Sequence, residues 1–248
     1  MSTLLLALLA GGVIGLSLGA LGGGGSVLAV PALIYLLGFT PAAATTASLV
    51  IVTVTSATAL AAHTRAGTVR LRGGALFAAA GLAPSVLGGT LSAGLPPALL
   101  TGAFAVVAGL AAYRMLRPSA TRREESTVRT SRVALSGAGL GAVTGVLGVG
   151  GGFLAVPALV NVVRLRMRDA VGTSLLVITV NSLAALAARA GAAESLDWAV
   201  VAPFAGAAIL GAWDGKRLAD KVSGDTLRRI FAWVLLAVAA FMLVDAMM

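Results

Sequence analysis

The stretch LGGGGSVLAVPAL, from Leu21 to Leu33, recurs as LGVGGGFLAVPAL, from Leu147 to Leu159. Ten of the 13 aligned positions are identical, at an offset of 126 residues. At the same offset, SLVIVTVTSATALAA from Ser48 matches SLLVITVNSLAALAA from Ser174 at 9 of 15 positions. Abundant Ala, Leu and Gly inflate such matches, but one ungapped register over about forty residues is hard to obtain by chance. Two large copies are typical of transporter folds, whereas solenoids use shorter and more numerous repeats.

The composition indicates a polytopic membrane protein of the all-α class. Hydrophobic residues make up 58% of the 248-residue chain and charged residues 11%, whereas soluble domains carry about 25% charged residues. No charged side chain precedes Arg65. Those 64 residues would extend roughly 96 Å as a helix, against about 30 Å of hydrocarbon per crossing. They therefore cross or re-enter the bilayer more than once, and a cleavable signal peptide is a poor alternative because the start lacks basic residues.

Several function classes are excluded or disfavoured. The chain has no cysteine, which excludes disulfides and thiolate chemistry. The net charge of +9 is explained better by orientation-setting loops than by nucleic-acid binding. The sequence contains no GxxxxGK[ST] motif, which excludes ATP-driven transport by this chain alone. An intramembrane enzyme would need a cluster of His, Asp or Glu, or a Ser–His pair, and we expect no catalytic residue, cofactor or metal.

Each copy is predicted to contain five helical segments. The first repeat spans 1–116, a basic cytoplasmic linker spans 117–132, and the second repeat spans 133–248. The predicted segments are 3–21, 26–38, 43–62, 74–93 and 98–116, then 133–147, 153–163, 170–189, 198–214 and 227–246. Segments 26–38 and 153–163 are short for a span of about 20 residues, and the sequence leaves open whether they cross or re-enter.

Loop charge predicts the orientation of the copies. If the first two segments of each copy together return the chain to its starting side, 17 of the 18 Lys and Arg residues lie on one face. Only Arg189 then lies on the other. If each of these pairs is instead counted as a single crossing, 8 of the Lys and Arg residues lie on one face and 10 on the other, which is no bias. The positive-inside rule favours the first arrangement, which predicts two inverted repeats with both termini outside the cytoplasm.

The glycine-rich motifs are the candidate substrate site. Glycine clusters disfavour a continuous helix, and Pro31 and Pro157 free further carbonyl groups as predicted structural breaks. In inverted-repeat transporters, such breaks bring half-helix N-termini to the bilayer midplane, where N–H groups and helix dipoles suit an anion. Neutral hydroxyl and amide groups surround them. The predicted substrate-binding residues are Gly22, Gly23, Gly24, Gly25, Ser26, Thr46, Ser48, Gly148, Gly150, Gly151, Gly152, Thr173, Ser174 and Asn181.

A structural interpretation of the same residues stays open. Glycines also allow close helix packing, and each Ser or Thr hydroxyl can bond its own helix backbone. Asn181 is the stronger candidate, because an amide within a span needs polar partners. His63, the single histidine, is interpreted as an interfacial residue at a helix end.

The paired motifs and the Thr- and Ser-containing helix after each resemble the sulfite exporter TauE/SafE family. The resemblance covers nearly the whole chain. It implies a bacterial inner-membrane permease that exports sulfite or a related anion such as an organosulfonate. Family members are described with about eight transmembrane helices, which agrees with ten segments if the two short ones are not full crossings.

The leading hypothesis is therefore a secondary transporter of a small sulfur-containing anion, working by alternating access. The alternatives are an anion channel, a small-anion permease with another substrate, or a passive scaffold. Expected partners are the anion and membrane lipid, without nucleic acid, and a homodimer is left open. The sequence does not determine the exact substrate, the direction of transport or the ion coupling.

Overall fold

The computed structural model describes residues 2–92, 96–117, 130–147, 152–187 and 196–247, and these form ten helices. The helices are α1 (Ser2–Leu21), α2 (Gly24–Pro31), α3 (Pro41–Arg65), α4 (Leu71–Ser92), α5 (Pro97–Leu116), α6 (Thr130–Leu147), α7 (Gly152–Asn161), α8 (Met167–Ala187), α9 (Trp198–Lys221) and α10 (Gly224–Met247). The all-α class and the ten predicted segments are confirmed.

Most helix ends lie within three residues of their predicted bounds, and two elements differ more clearly. After Pro31, α2 continues into a π-helical stretch, Ala32–Leu36. Helix α9 continues to Lys221, beyond the predicted end at 214, and the i,i+4 ion pair between Lys216 and Asp220 stabilises the added turns. The predicted linker 117–132 lies mostly outside the described residues.

Exposed apolar stripes show that these helices are suited to lipid. Leu5, Leu9 and Val13 recur every fourth residue along α1, and each is about 60% exposed. Contiguous exposed apolar surface of this kind marks a membrane or protein contact. Within the described residues, five helices are long and apolar enough to cross a membrane: α1, α3, α8, α9 and α10.

Glycines bring α1 and α9 together. A Cβ placed on Gly11, Gly15 or Gly19 would meet the backbone of Phe204, Ala208 or Ala212, respectively. Both series advance by four residues in the same direction, so the two helices run parallel in direct backbone contact. Small residues at this spacing drive helix association in membranes through van der Waals packing.

A second glycine contact joins α4 and α6. A Cβ on Gly137 would meet the Phe77 backbone, and one on Gly141 would meet the Gly81 backbone. In the 126-residue register, α6 corresponds to α1, and α4 corresponds to α9. The first helix of each copy therefore packs against the fourth helix of the other, and the two copies are interlocked.

The equivalent helices α3 and α8 pack antiparallel. Thr179 Oγ1 donates to Ser56 Oγ at 2.9 Å. Further toward the end of α3, the following loop meets the beginning of α8, where the Arg70 N–H donates to Thr173 Oγ1 at 3.0 Å. Residue numbers thus rise along one helix as they fall along the other. The ends of α5 and α10 are related in the same way, since the Arg228 guanidinium at the start of α10 donates to the Met115 carbonyl near the end of α5.

Candidate functional site

A junction between two helix N-termini forms the candidate site. Gly22, with a φ of +69°, follows the end of α1, and α2 begins two residues later. Its positive φ is a conformation that glycine adopts at little steric cost. A Cβ on Gly23 would clash with the Gly152 carbonyl, and a Cβ on Gly152 would lie 2.7 Å from Ser26 Oγ. The starts of α2 and α7 therefore meet, and we call residues 22–26 and Gly152 the junction.

The junction has the electrostatic character of an anion site. The first turn of each helix carries backbone N–H groups without intrahelical acceptors, and the macrodipole places partial positive charge there. Two such ends facing one another reinforce this potential. Neither α2 nor α7 contains a charged residue, so the positive potential comes from the backbone.

One face of α8 borders the junction. Gly22 packs against Ser174, and the Ile178 side chain lies 2.9 Å from a Cβ placed on Gly152. Ser174, Ile178 and Asn181 are spaced i, i+4 and i+7, which places them on the same helix face. Asn181 thus lies one turn beyond Ile178 on the side facing the two N-termini.

The corresponding face of α3 carries Ser48, Val52 and Thr55, at the equivalent three positions of the first repeat. Ser48 and Thr55 are buried, as is the neighbouring Thr46. Gly148, Gly150 and Gly151 lie outside the described residues.

Several predicted hydroxyl groups already bond their own helix. Ser26 Oγ donates to the Gly23 carbonyl, Ser48 Oγ to the Thr45 carbonyl and Ser174 Oγ to the Val171 carbonyl, each at 2.8 Å. These bonds match the structural interpretation of Ser and Thr within helices. Each oxygen retains lone pairs, and its hydrogen can rotate toward a ligand.

Two buried polar atoms differ from the rest, because neither Thr55 Oγ1 nor Asn181 Oδ1 has a hydrogen-bond partner in the described structure. Thr55 is only 1% exposed, and Asn181 is half-buried with its Oδ1 enclosed. Positions 55 and 181 correspond in the 126-residue register. A buried polar group without a partner costs about 1–3 kcal/mol, and here the cost arises twice at equivalent places.

Thr173 lies at the edge of the site, where it joins a polar lock. Its Oγ1 accepts from the Arg70 N–H at 3.0 Å, and one turn earlier Asp169 Oδ2 lies 3.4 Å from Arg70 Nη2 and 3.0 Å from Arg166 Nε. Asp169 is 4% exposed. We call Asp169, Arg70 and Arg166 the lock, since they tie the loop after α3 to the start of α8.

The lock was missed at the sequence level, as were the contacts of His63. Asp169 stands among arginines in a short loop, and its acidic type at a helix start was the available signal. His63 lies in the last turn of α3, at the predicted helix end, and is 4% exposed, with Nε2 3.2 Å from the Gly19 carbonyl and Nδ1 3.1 Å from Thr68 Oγ1. It connects the end of α3 to the end of α1.

The two prolines that were predicted to break helices occupy different positions in their helices. Pro31 ends α2, where the backbone changes from α- to π-helical. Pro157 lies within α7, which continues to Asn161.

An open groove of about 640 Å³ lies away from the junction, between α1, α2 and α10. Its lining is apolar, and includes Leu9, Val13 and Phe241. So apolar a surface suits an acyl chain of the surrounding lipid better than an anion.

Comparison with known proteins agrees with this architecture. The model of the family described as sulfite exporter TauE/SafE matches residues 7–242. A protein of Xylella fastidiosa strain 9a5c, named "Probable membrane transporter protein", is 34% identical over 244 residues, covering 94% of this chain and 92% of its own length. A protein of the same name from strain Temecula1 is 35% identical over 245 residues, with the same coverage.

Proposed function

The chain belongs to the sulfite exporter TauE/SafE family of membrane transporters, and from that premise we propose that it exports a small sulfur-containing anion. Sulfite and organosulfonates are the proposed substrate class. The proposed location is the bacterial inner membrane, with both termini outside the cytoplasm and the two copies inverted. The antiparallel packing of α3 and α8 supports the inverted arrangement, as does the distribution of basic loops.

The meeting of the α2 and α7 N-termini at Gly23 and Gly152 carries this proposal. Backbone N–H groups at two facing helix ends favour an oxyanion, which accepts several hydrogen bonds at once. The neighbouring side chains are neutral, and the charged groups of α3 and α8 in the described structure lie near their ends. Such a site favours a small anion over a large or lipidic one.

The proposed mechanism is alternating access around this junction. The interlocked pairs α1–α9 and α4–α6 are rigid units because their contacts are between backbones, and rocking of these units would expose the site to each side in turn. Export of a monovalent anion is driven by the membrane potential, at about 2.3 kcal/mol per 100 mV. No further energy source is needed for the outward direction.

Binding to the purified protein tests the site. Sulfite, thiosulfate, sulfate and methanesulfonate are titrated into wild type, Gly152→Leu and Gly206→Leu by calorimetry. A leucine at Gly152 fills the junction, whereas a Cβ at Gly206 meets nothing within 4 Å. We expect Gly152→Leu to abolish binding and Gly206→Leu to retain it, with both variants monodisperse. Undiminished binding to a folded Gly152→Leu protein contradicts a site at the junction.

The alternative that the sequence left open, an anion channel, is tested in proteoliposomes. A carrier shows saturation and counterflow, in which unlabelled anion on one side drives labelled anion from the other. We expect both. Linear, non-saturating flux without counterflow would support the channel, and counterflow with only a non-sulfur anion would support a permease of different substrate.

A further inference from the structure

Asn181 Oδ1 is a buried side-chain acceptor without a hydrogen-bond partner in the described structure, on the α8 face that borders the junction. The facing helix ends contribute N–H groups, and Ser26 and Ser174 contribute hydroxyls. An oxyanion accepts from the N–H groups, and from the two hydroxyls once their hydrogens turn away from the Gly23 and Val171 carbonyls. It cannot satisfy an amide oxygen, because an unprotonated oxyanion has no hydrogen to donate.

We propose, on the basis of the function proposed above, that the transported species is a protonated monoanion, and that its own O–H donates to Asn181 Oδ1. Hydrogensulfite is the member of the proposed substrate class with this chemistry. Thr55, the equivalent residue of the first repeat, donates its hydroxyl to an ionised oxygen of the same anion. The two buried atoms that lack partners in the described structure then both gain one.

Charge favours the same species. A dianion carries a much larger desolvation cost than a monoanion, and α2, α3, α7 and α8 place no Lys or Arg side chain next to the junction in the described structure. Helix ends supply only about half an elementary charge each. Two of them together match about one negative charge. The arginines at the edge of the site, Arg70 and Arg166, are already paired with Asp169, and Lys216 of α9 is paired with Asp220.

The burial of these groups argues against a purely structural role. Thr55 Oγ1 and Asn181 Oδ1 make no hydrogen bond that would stabilise the described fold. Replacing a buried unpartnered polar group by an apolar group of similar shape is neutral or stabilising. Thr55→Val and Asn181→Leu should therefore keep or raise the thermal stability of the empty protein. A structural role predicts the opposite.

Calorimetry of the purified full-length chain tests the proposal with four anions. Hydrogensulfite and hydrogenselenite carry an O–H, methanesulfonate is a monoanion without one, and sulfate is a dianion. We expect the first two to bind at least about tenfold more tightly than methanesulfonate, which corresponds to one hydrogen bond involving a charged group. At a pH above the second pKa of sulfurous acid, the free anion is the sulfite dianion. Titrating it into the protein in buffers of different ionisation enthalpy should then show uptake of about one proton per bound anion.

Variants assign the preference to the two residues. Asn181→Leu should remove the preference for binding protonated anions. Thr55→Val should weaken the binding of every anion about tenfold or more. Thr58→Val is the matched control, because its hydroxyl already donates to carbonyls of its own helix, and it should bind as wild type does.

Two results overturn the proposal. Equal binding of methanesulfonate and hydrogensulfite without proton uptake would show that the site does not use the anion's hydrogen. Loss of thermal stability in both variants with unchanged binding would assign the two residues to the fold. Absence of binding by all anions would instead remove the proposed function together with this inference.

Discussion

Helix α3 of the first repeat carries Thr55 where α8 of the second carries Asn181, and Ser26 at the junction corresponds to Gly152. The glycine contacts between helices diverge less: Gly11 and Gly15 of α1 correspond to Gly137 and Gly141 of α6, and both pairs press on backbone, with their partner positions on the fourth helix offset by one residue. The two copies therefore agree where helices pack and differ where side chains face the junction. Packing is a requirement on both copies, whereas a single asymmetric ligand needs different groups from each.

The ends of the equivalent helices α3 and α8 differ as well. The lock of Asp169, Arg70 and Arg166 joins the end of α3 to the start of α8. At the position of the first repeat that corresponds to Asp169 stands Ala43, which cannot form an ion pair. One side of the junction is thus bordered by charged groups, and the first repeat lacks the carboxylate on which they depend.

The largest expected effect comes from filling the shared glycine contacts. Gly15→Leu in α1 and Gly141→Leu in α6 each force a side chain into a neighbouring backbone, which should cost at least about 3 kcal/mol and a large part of the folded yield. Size-exclusion chromatography and thermal denaturation in detergent measure this.

Matched controls exist on the same two helices. A Cβ on Gly12 or on Gly139 meets nothing within 4 Å, so Gly12→Leu and Gly139→Leu should remain within about 0.5 kcal/mol of wild type. If Gly15→Leu strongly lowers the folded yield but Gly141→Leu does not, the two contacts are not equivalent. The two copies would then differ in how their helices pack.

A smaller effect is expected from the lock. Asp169→Asn keeps the shape but removes the charge that attracts two arginines, and we expect a loss of about 1–2 kcal/mol. The value is modest because Arg70 and Arg166 are themselves 49% and 79% exposed and can be solvated. Thermal denaturation at low and high salt measures it, and the difference should shrink as salt rises.

The control for the lock is Asp220→Asn. Asp220 pairs with Lys216 at 2.6 Å, but its side chain is 48% exposed, so its removal should cost about 0.5 kcal/mol or less. If Asp169→Asn and Asp220→Asn lose the same amount of stability, the lock is an ordinary surface ion pair.

Much of this architecture could be predicted from the sequence, because apolar length and glycine breaks determine where helices in lipid begin and end. The ten segments and the break after α1 depend on such local signals. The contact of Gly152 with Ser26 was anticipated as a meeting of half-helices, since the duplicated motif implies it. The π-helical stretch Ala32–Leu36 was not predicted, because it depends on how the chain after Pro31 packs.

Long-range polar contacts account for what the sequence did not predict. The Arg70 N–H to Thr173 Oγ1 bond joins residues 103 positions apart, and nothing near either residue indicates the other. An aspartate in a loop is usually exposed to solvent, so the sequence gives no indication that Asp169 is buried. Thr55 is not among the predicted substrate-binding residues, although its register with Asn181 is visible in the aligned repeats.

The central claim is that the two copies lie inverted in the membrane and meet at the junction. Leu71 and Asp197 are equivalent in the repeat register, are both exposed, and stand at the starts of α4 and α9. Because the chain has no cysteine, Leu71→Cys and Asp197→Cys can each be labelled singly with a membrane-impermeant maleimide in intact cells. The account predicts labelling of Asp197→Cys in intact cells, and of Leu71→Cys only after permeabilisation. Labelling of both from the same side would contradict it.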